Sequence, residues 1–143
     1  MIKYYNSGDY APTVGTEGSA GLDLYINSLA RDAPFSYSIG TGIHVEIPKG
    51  WVGLLVPRSS FGSRGYTLKN TIGIIDSDYR GEILLKIKRD SSLGVDPVGL
   101  SEGDKVAQLV VVRCDTAAQQ VNSLEDLTVT ERGDGGFGST GGA

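Results

Sequence analysis

Asn70-Thr-Ile-Gly-Ile-Ile-Asp-Ser-Asp-Tyr-Arg-Gly-Glu82 joins two β-rich runs, Thr67–Asp76 and Glu82–Lys88, through the polar turn Ser77-Asp-Tyr-Arg-Gly81. Alternating apolar residues, β-branched enrichment and a glycine-closed turn favour strands over helix here. Asp76 stands where the apolar pair Ile74-Ile75 meets the turn, so its carboxylate is expected to be partly desolvated and held in place. Those are the requirements of a general base. On this stretch alone the simpler reading, an Asp that caps its own turn, is favoured.

Working outward, short apolar runs separated by turn residues continue on both sides. Ile2–Tyr5 reads as an edge strand, and Ile43, Val45 and Ile47 alternate with His44 and Glu46. Trp51–Val56 is nearly continuous in apolar residues, the pattern of a strand buried on both faces. Asn27–Ser38 is poorly periodic, and Ser123–Leu127 is long enough for one helical turn. A further strand covers Lys105–Arg113, with Gln108 interrupting it; a buried Gln must be hydrogen-bonded, to a neighbouring strand or to a ligand. The 21 glycines among 143 residues are about twice the ~7% average, which suits many tight turns. The expectation is a single all-β domain with a real core.

Charge and composition exclude several functions. A net charge of -4 argues against non-specific nucleic-acid binding, which needs a basic face. One His and one Cys rule out a multi-His metal site and a disulfide framework. His44 is expected on the solvent side of its strand, and Cys114, within Val110–Cys114, as a small buried apolar residue. Met1–Asp9 lacks the pattern of a signal peptide, and no apolar run approaches the ~20 residues of a membrane span. A soluble cytoplasmic protein without membrane or nucleic-acid partners is expected.

Four further stretches carry polar chemistry. In Gly18-Ser-Ala-Gly-Leu-Asp-Leu-Tyr25, Leu22 and Leu24 alternate with Asp23, which therefore points from the core toward solvent or a cleft. Pro57-Arg-Ser-Ser60 offers a guanidinium and two hydroxyls at a strand end, groups that suit phosphate oxygens. Gly103–Leu109 contains Gln108. The tail Arg132-Gly-Asp-Gly-Gly-Phe-Gly-Ser-Thr-Gly-Gly-Ala143 reads either as a flexible end or as a lid ordered by a ligand. Glycine amides with Ser139 and Thr140 hydroxyls wrap phosphates, and Phe137 supplies a stacking face. It is no P-loop, since the Gly-Lys-Ser/Thr ending is missing.

Taken in order, Ala20–Leu24, Pro57–Ser60, Gly73–Gly81, Gly103–Leu109 and Arg132–Gly141 resemble the five motifs of the dUTP diphosphatase (dUTPase) family. The resemblance implies a jelly-roll-like β-barrel or sandwich, assembled as a homotrimer with exchange of the C-terminal arm. It implies a β domain over 1–131 and a glycine-rich arm over 132–143 that closes the active site. The implied reaction is hydrolysis of dUTP to dUMP and pyrophosphate with Mg²⁺ on the triphosphate. By position, Asp76 is similar to the base that orients the attacking water, and Tyr79 to the ring under the deoxyribose. Asn70, with backbone of the Thr71–Ile75 hairpin including Gly73 and Ile75, resembles the uracil reader. Arg58, Ser59, Ser60 and Gln108 resemble the triphosphate cradle, and Asp23 the outer-shell partner of Mg²⁺ through water. Arg132, Phe137, Gly138, Ser139 and Thr140 resemble the closing arm.

Three rival readings compete with this one. The dCTP deaminase branch of the same fold carries a catalytic glutamate where Lys86 stands, and lacks the Phe-centred tail. A regulatory nucleotide-binding protein would retain the scaffold without needing Asp23, Asp76, Tyr79, Arg132 and Phe137 together. A bare carbohydrate-binding or capsid module leaves the five polar stretches unexplained.

Overall fold

The computed structural model describes residues 1–94 and 99–138. Its strands are β1 (Lys3–Asn6), β2 (Thr13–Val14), β3 (Leu22–Tyr25), β4 (Ser28–Ala33), β5 (Ser36–Gly40), β6 (Ile43–Glu46), β7 (Trp51–Pro57), β8 (Tyr66–Leu68), β9 (Gly73–Ile75), β10 (Leu84–Arg89) and β11 (Lys105–Arg113). One short helix, α1 (Ser59–Ser63), follows β7 directly. All pairings are antiparallel. A five-stranded sheet runs β2-β3-β11-β7-β9, a four-stranded sheet runs β4-β5-β10-β8, and β1 pairs with β6 alone. Among the described residues no helix is long and apolar enough to cross a membrane.

Strand alternation sends one set of side chains from each large sheet into a shared core. Leu24, Leu55, Ile75 and Leu109 come from the five-stranded sheet, and Tyr37, Ile39, Leu85 and Ile87 from the four-stranded one. Phe61 of α1 stacks on Tyr66 with ring centroids 4.9 Å apart, which closes one corner. A register shift between Lys105 and Ala107 lets the consecutive Val106 and Ala107 both be buried.

Several sequence expectations change at this level. Asn27–Ser38, poorly periodic in sequence, contains the β4–β5 hairpin around Phe35, whose φ is 61°. The run Thr67–Asp76 is two short strands rather than one, because residues 69–72 form a turn with Thr71 at φ 68°. β7 is buried on one face only: Gly53 and Leu55 are inside, while Val52, Leu54 and Val56 are half-exposed. Cys114 lies past the end of β11 and is exposed, not buried, because the chain has left the sheet there. Ser123 does open a single 3-10 turn, Leu124–Asp126, closed by a capping box.

Candidate active site

The outer face of the five-stranded sheet carries most of the polar candidates. Gln108 pairs in register with Asp23 on one side and with Val56 on the other, so these three form a cross-strand row. Arg58 stands two residues beyond Val56, between the strand and α1, with its amide donating to the Val106 carbonyl at 3.2 Å. Ser59 and Ser60 open the helix and are exposed.

Of the two readings left open for Asp23, solvent or a cleft, the solvated one does not hold. Asp23 is only 9% exposed, and Lys105 Nζ lies 3.7 Å from its Oδ2. Lys105 also sits over the Tyr25 ring at 5.9 Å, so the carboxylate is flanked by a cation at the sheet's rim. Gly21 makes room for Gln108: a Cβ there would come within 2.5 Å of Gln108 Oε1. Residue 21 therefore has to be glycine for the row to keep its packing.

The second group of candidates is on the turn after β9. Asp76 is exposed, against the expectation of partial desolvation. β9 is the edge strand of its sheet; Ile75 is buried and Ile74 is 59% exposed, so the pair is not a buried run. Asp76 and Tyr79 both line a groove of about 170 Å³ with Ile74, Ile75, Glu82, Ile83 and Leu84. A larger open groove, about 1100 Å³, meets the other side of Asp76 and runs past Arg80, Lys49 and Asp115.

The turn itself is held tightly. The Tyr79 amide donates to the Asp76 carbonyl at 3.1 Å, and Tyr79 Oη donates to the Glu82 carbonyl at 2.8 Å. That second bond lays the ring across Gly81, where a Cβ would fall 2.3 Å from Tyr79 Oη. Glu82 Oε1 accepts from the Gly42 amide at 2.7 Å. Buried Thr41 donates its hydroxyl to the Ile83 carbonyl at 2.8 Å and accepts from the Ile43 amide at 3.2 Å. The neighbouring hairpin is shaped the same way: Asn70 Nδ2 donates to the Ile72 carbonyl at 3.2 Å, and Gly73 packs on Leu55.

The third group is on the C-terminal segment. Every residue from Arg113 to Asp134 is exposed, and Phe137, at φ 51°, is fully exposed beside Gly138. Arg132 Nε donates to the Gly135 carbonyl at 2.7 Å, which bends the arm on itself. Ser139 and Thr140 lie outside the described residues.

Sequence reading missed the braces. Thr41, Glu82, His44 and Lys105 act across 36 to 42 residues or from a different strand, and no local pattern announces them. His44, expected to face solvent, is half-buried with its ring bonded to the Arg80 carbonyl.

The dUTPase family model matches residues 9–141. The deoxyuridine 5'-triphosphate nucleotidohydrolase of Escherichia phage T5 is 41% identical over 141 residues, covering 93% of each chain. A structure of the Staphylococcus bacteriophage 80alpha dUTPase with dUpNHpp superimposes with a TM-score of 0.79 at 25% identity, over 99% of this chain and 98% of that one. The dUTPase of phage phi11 of S. aureus, described with a coordinated structural Mg(II) ion, gives 0.72 at 27% identity over 87% and 99%. A sandwich of this topology, five polar stretches in family order and sequence identity spread along nearly the whole length leave one assignment: the chain belongs to the dUTPase family.

Proposed function

We propose that the protein hydrolyses dUTP to dUMP and pyrophosphate, with Asp76 as general base. The observation that carries this is the shared groove of Asp76 and Tyr79 on a turn held rigid from behind. An Asp76 oxygen takes the proton of a water whose oxygen attacks the α-phosphorus. The bond to the bridging oxygen breaks, and pyrophosphate leaves. Phosphoryl transfer of this kind asks the protein mainly for positioning and charge stabilisation.

Tyr79 provides the surface under the deoxyribose, its ring immobilised over Gly81. Asn70 and the backbone from Thr71 to Ile75, Gly73 and Ile75 included, read the uracil edge. Arg58, Ser59, Ser60 and Gln108 receive the phosphate oxygens. The domain proper covers 1–131, and the arm 132–143 closes over the nucleotide, Arg132, Gly138, Ser139 and Thr140 toward phosphate and Phe137 over the base.

One chain does not complete this site. Ile75 pairs with Gly53, so Asp76 lies level with Val52, whereas Arg58 is six residues further along the strand line. At ~3.3 Å per residue the separation is roughly 20 Å, too far for both to serve one α-phosphate. A second copy must supply the phosphate cradle, and the exposed Leu124, Leu127, Val129 and Phe137 of the C-terminal segment are suited to drape over a third. A homotrimer satisfies both requirements.

The donor set fits Mg²⁺ arriving with the triphosphate. Among the described residues no three His, Cys, Asp or Glu side chains gather, and Mg²⁺ held mostly by phosphate and water needs only one or two carboxylates. Asp23, nearly buried and facing the Gln108 row, is the carboxylate that would hold its water shell. When bound, the ion would offset the charge of the triphosphate oxygens.

Pyrophosphate release from dUTP with Mg²⁺, beside UTP, dCTP and dTTP at equal concentration, tests the reading. Fast release from dUTP alone is expected. Ammonia from dCTP, or binding of dUTP without turnover, would overturn it.

A further inference from the structure

The turn that carries Tyr79 is gripped from outside by β6. His44 Nδ1 lies 2.8 Å from the Arg80 carbonyl oxygen. A carbonyl oxygen only accepts, so Nδ1 must carry the proton. The Arg80 side chain reaches in two further directions. Its Nη1 donates to the Ser77 carbonyl at 2.7 Å and the Tyr79 carbonyl at 3.2 Å, and its Nη2 is 3.6 Å from Glu46 Oε1. His44 and Glu46 are two apart on one strand and so share a face. Between them they hold residue 80 by its backbone and by its side chain. β6 is in turn steadied by β1, with Tyr5 opposite His44 and Lys3 opposite Glu46. The Tyr5 ring lies 5.8 Å from the imidazole, Lys3 Nζ is 3.2 Å from Glu46 Oε2, and Ser7 Oγ is 3.4 Å from His44 Nε2.

We propose that His44 is a positioning residue for the hydrolysis: as the Nδ1–H tautomer it fixes, through the Arg80 carbonyl, the backbone on which Asp76 and Tyr79 are set. The inference rests on the catalytic reading of that turn given above. His44 touches neither wall of the groove shared by Asp76 and Tyr79, so its influence passes through residue 80. A neutral histidine side chain in water favours the Nε2–H form, so the contact reverses an ordinary preference and leaves a spectroscopic signature. Asparagine can place its amide nitrogen where Nδ1 stands; leucine has similar bulk and no donor.

The protein has a single histidine, so ring ¹⁵N–¹H long-range correlations of the neutral imidazole report on His44 alone. A pyrrole-type Nδ1 is expected, and a pyrrole-type Nε2 would overturn the contact. Steady-state kinetics with dUTP then compare His44→Leu and His44→Asn. His44→Leu is expected to lower kcat by roughly tenfold, as small misplacements of reacting groups do, with a smaller change in KM, and His44→Asn to recover most of the loss. A His44→Leu enzyme within twofold of wild type, or a folded His44→Asn enzyme no better than His44→Leu, would overturn the positioning role. Wild-type protein inert toward dUTP would overturn the catalytic reading and this role with it, while the tautomer still shows whether the contact exists.

Discussion

The turn from Asp76 to Glu82 and the segment from Asp115 to Gly138 are both largely exposed, yet they are built in opposite ways. The turn is anchored by long-range bonds from Thr41, Gly42 and His44, so its groups stand in place before any ligand arrives. The segment leaves Leu124, Leu127, Val129 and Phe137 in solvent and, among the described residues, bends on local bonds such as Arg132 to Gly135. Exposure alone therefore does not separate the braced part from the unbraced one; long-range satisfaction of backbone groups does. A water-orienting base gains from being set in advance. A lid gains from being ordered only when substrate or a neighbouring copy covers it, and glycine makes that ordering costly enough to be conditional.

The most severe test removes the chemistry from the rigid part. Asp76→Asn keeps the shape and the backbone bonds of the turn, and should lower dUTP turnover by ~10²–10⁴ with unchanged thermal stability. Near-normal turnover would take Asp76 out of the base role. Removing the C-terminal arm comes next. Deleting residues 132–143 should leave the fold and assembly intact, as read by circular dichroism and size-exclusion chromatography, and reduce turnover by roughly a hundredfold through loss of closure. Normal hydrolysis by the truncated chain would end the lid reading.

A third substitution loosens the rigid part without touching the groove. Thr41→Val removes the buried hydroxyl that serves Ile83 and Ile43, leaving the Ile43 amide without that acceptor. The expected cost is about 1–3 kcal/mol in denaturant unfolding, with a smaller effect on turnover than Asp76→Asn. A stability change near zero would mean that the turn is held by Glu82 and His44 alone.

How far the sequence revealed these two regions differs for the same reason. Local signals placed the turn at Ser77–Gly81, the strand pattern around Ile43–Ile47 and the all-β class, because alternation and glycine positions are properties of neighbouring residues. The glycine-rich arm was legible as composition. What stayed hidden was distance-dependent. Nothing near Ile74-Ile75 says that β9 is an edge strand, so Asp76 was expected to be partly buried and is exposed. Nothing near Asp23 says that Lys105 will cover it. The β4–β5 hairpin escaped because its outer strand, β4, is almost wholly polar or small and shows no apolar stripe.

A third exposed turn is satisfied locally. Asp90 Oδ1 accepts from Ser92 Oγ at 2.7 Å and from the Ser92 amide at 2.9 Å, capping the 3-10 turn Ser91–Leu93. The Ser92 hydroxyl first, then its amide, hold the Asp90 carboxyl below its ordinary range. A carboxyl whose folded pKa is depressed adds stability above its unfolded pKa, about 3.9, and loses it as pH falls through the lower folded value. Asp90→Asn should therefore melt slightly below wild type at pH 7, with the gap closing in acid below that window. Because the group is fully exposed and its partners are two residues away, the difference should be the smallest of the four and leave dUTP turnover unchanged. A gap that persists in acid would show that the amide, rather than the lost charge, accounts for it. A gap as large as that of Thr41→Val would mean that local capping stabilises an exposed turn as well as a buried long-range brace does, and the contrast between the two regions would lose its physical basis.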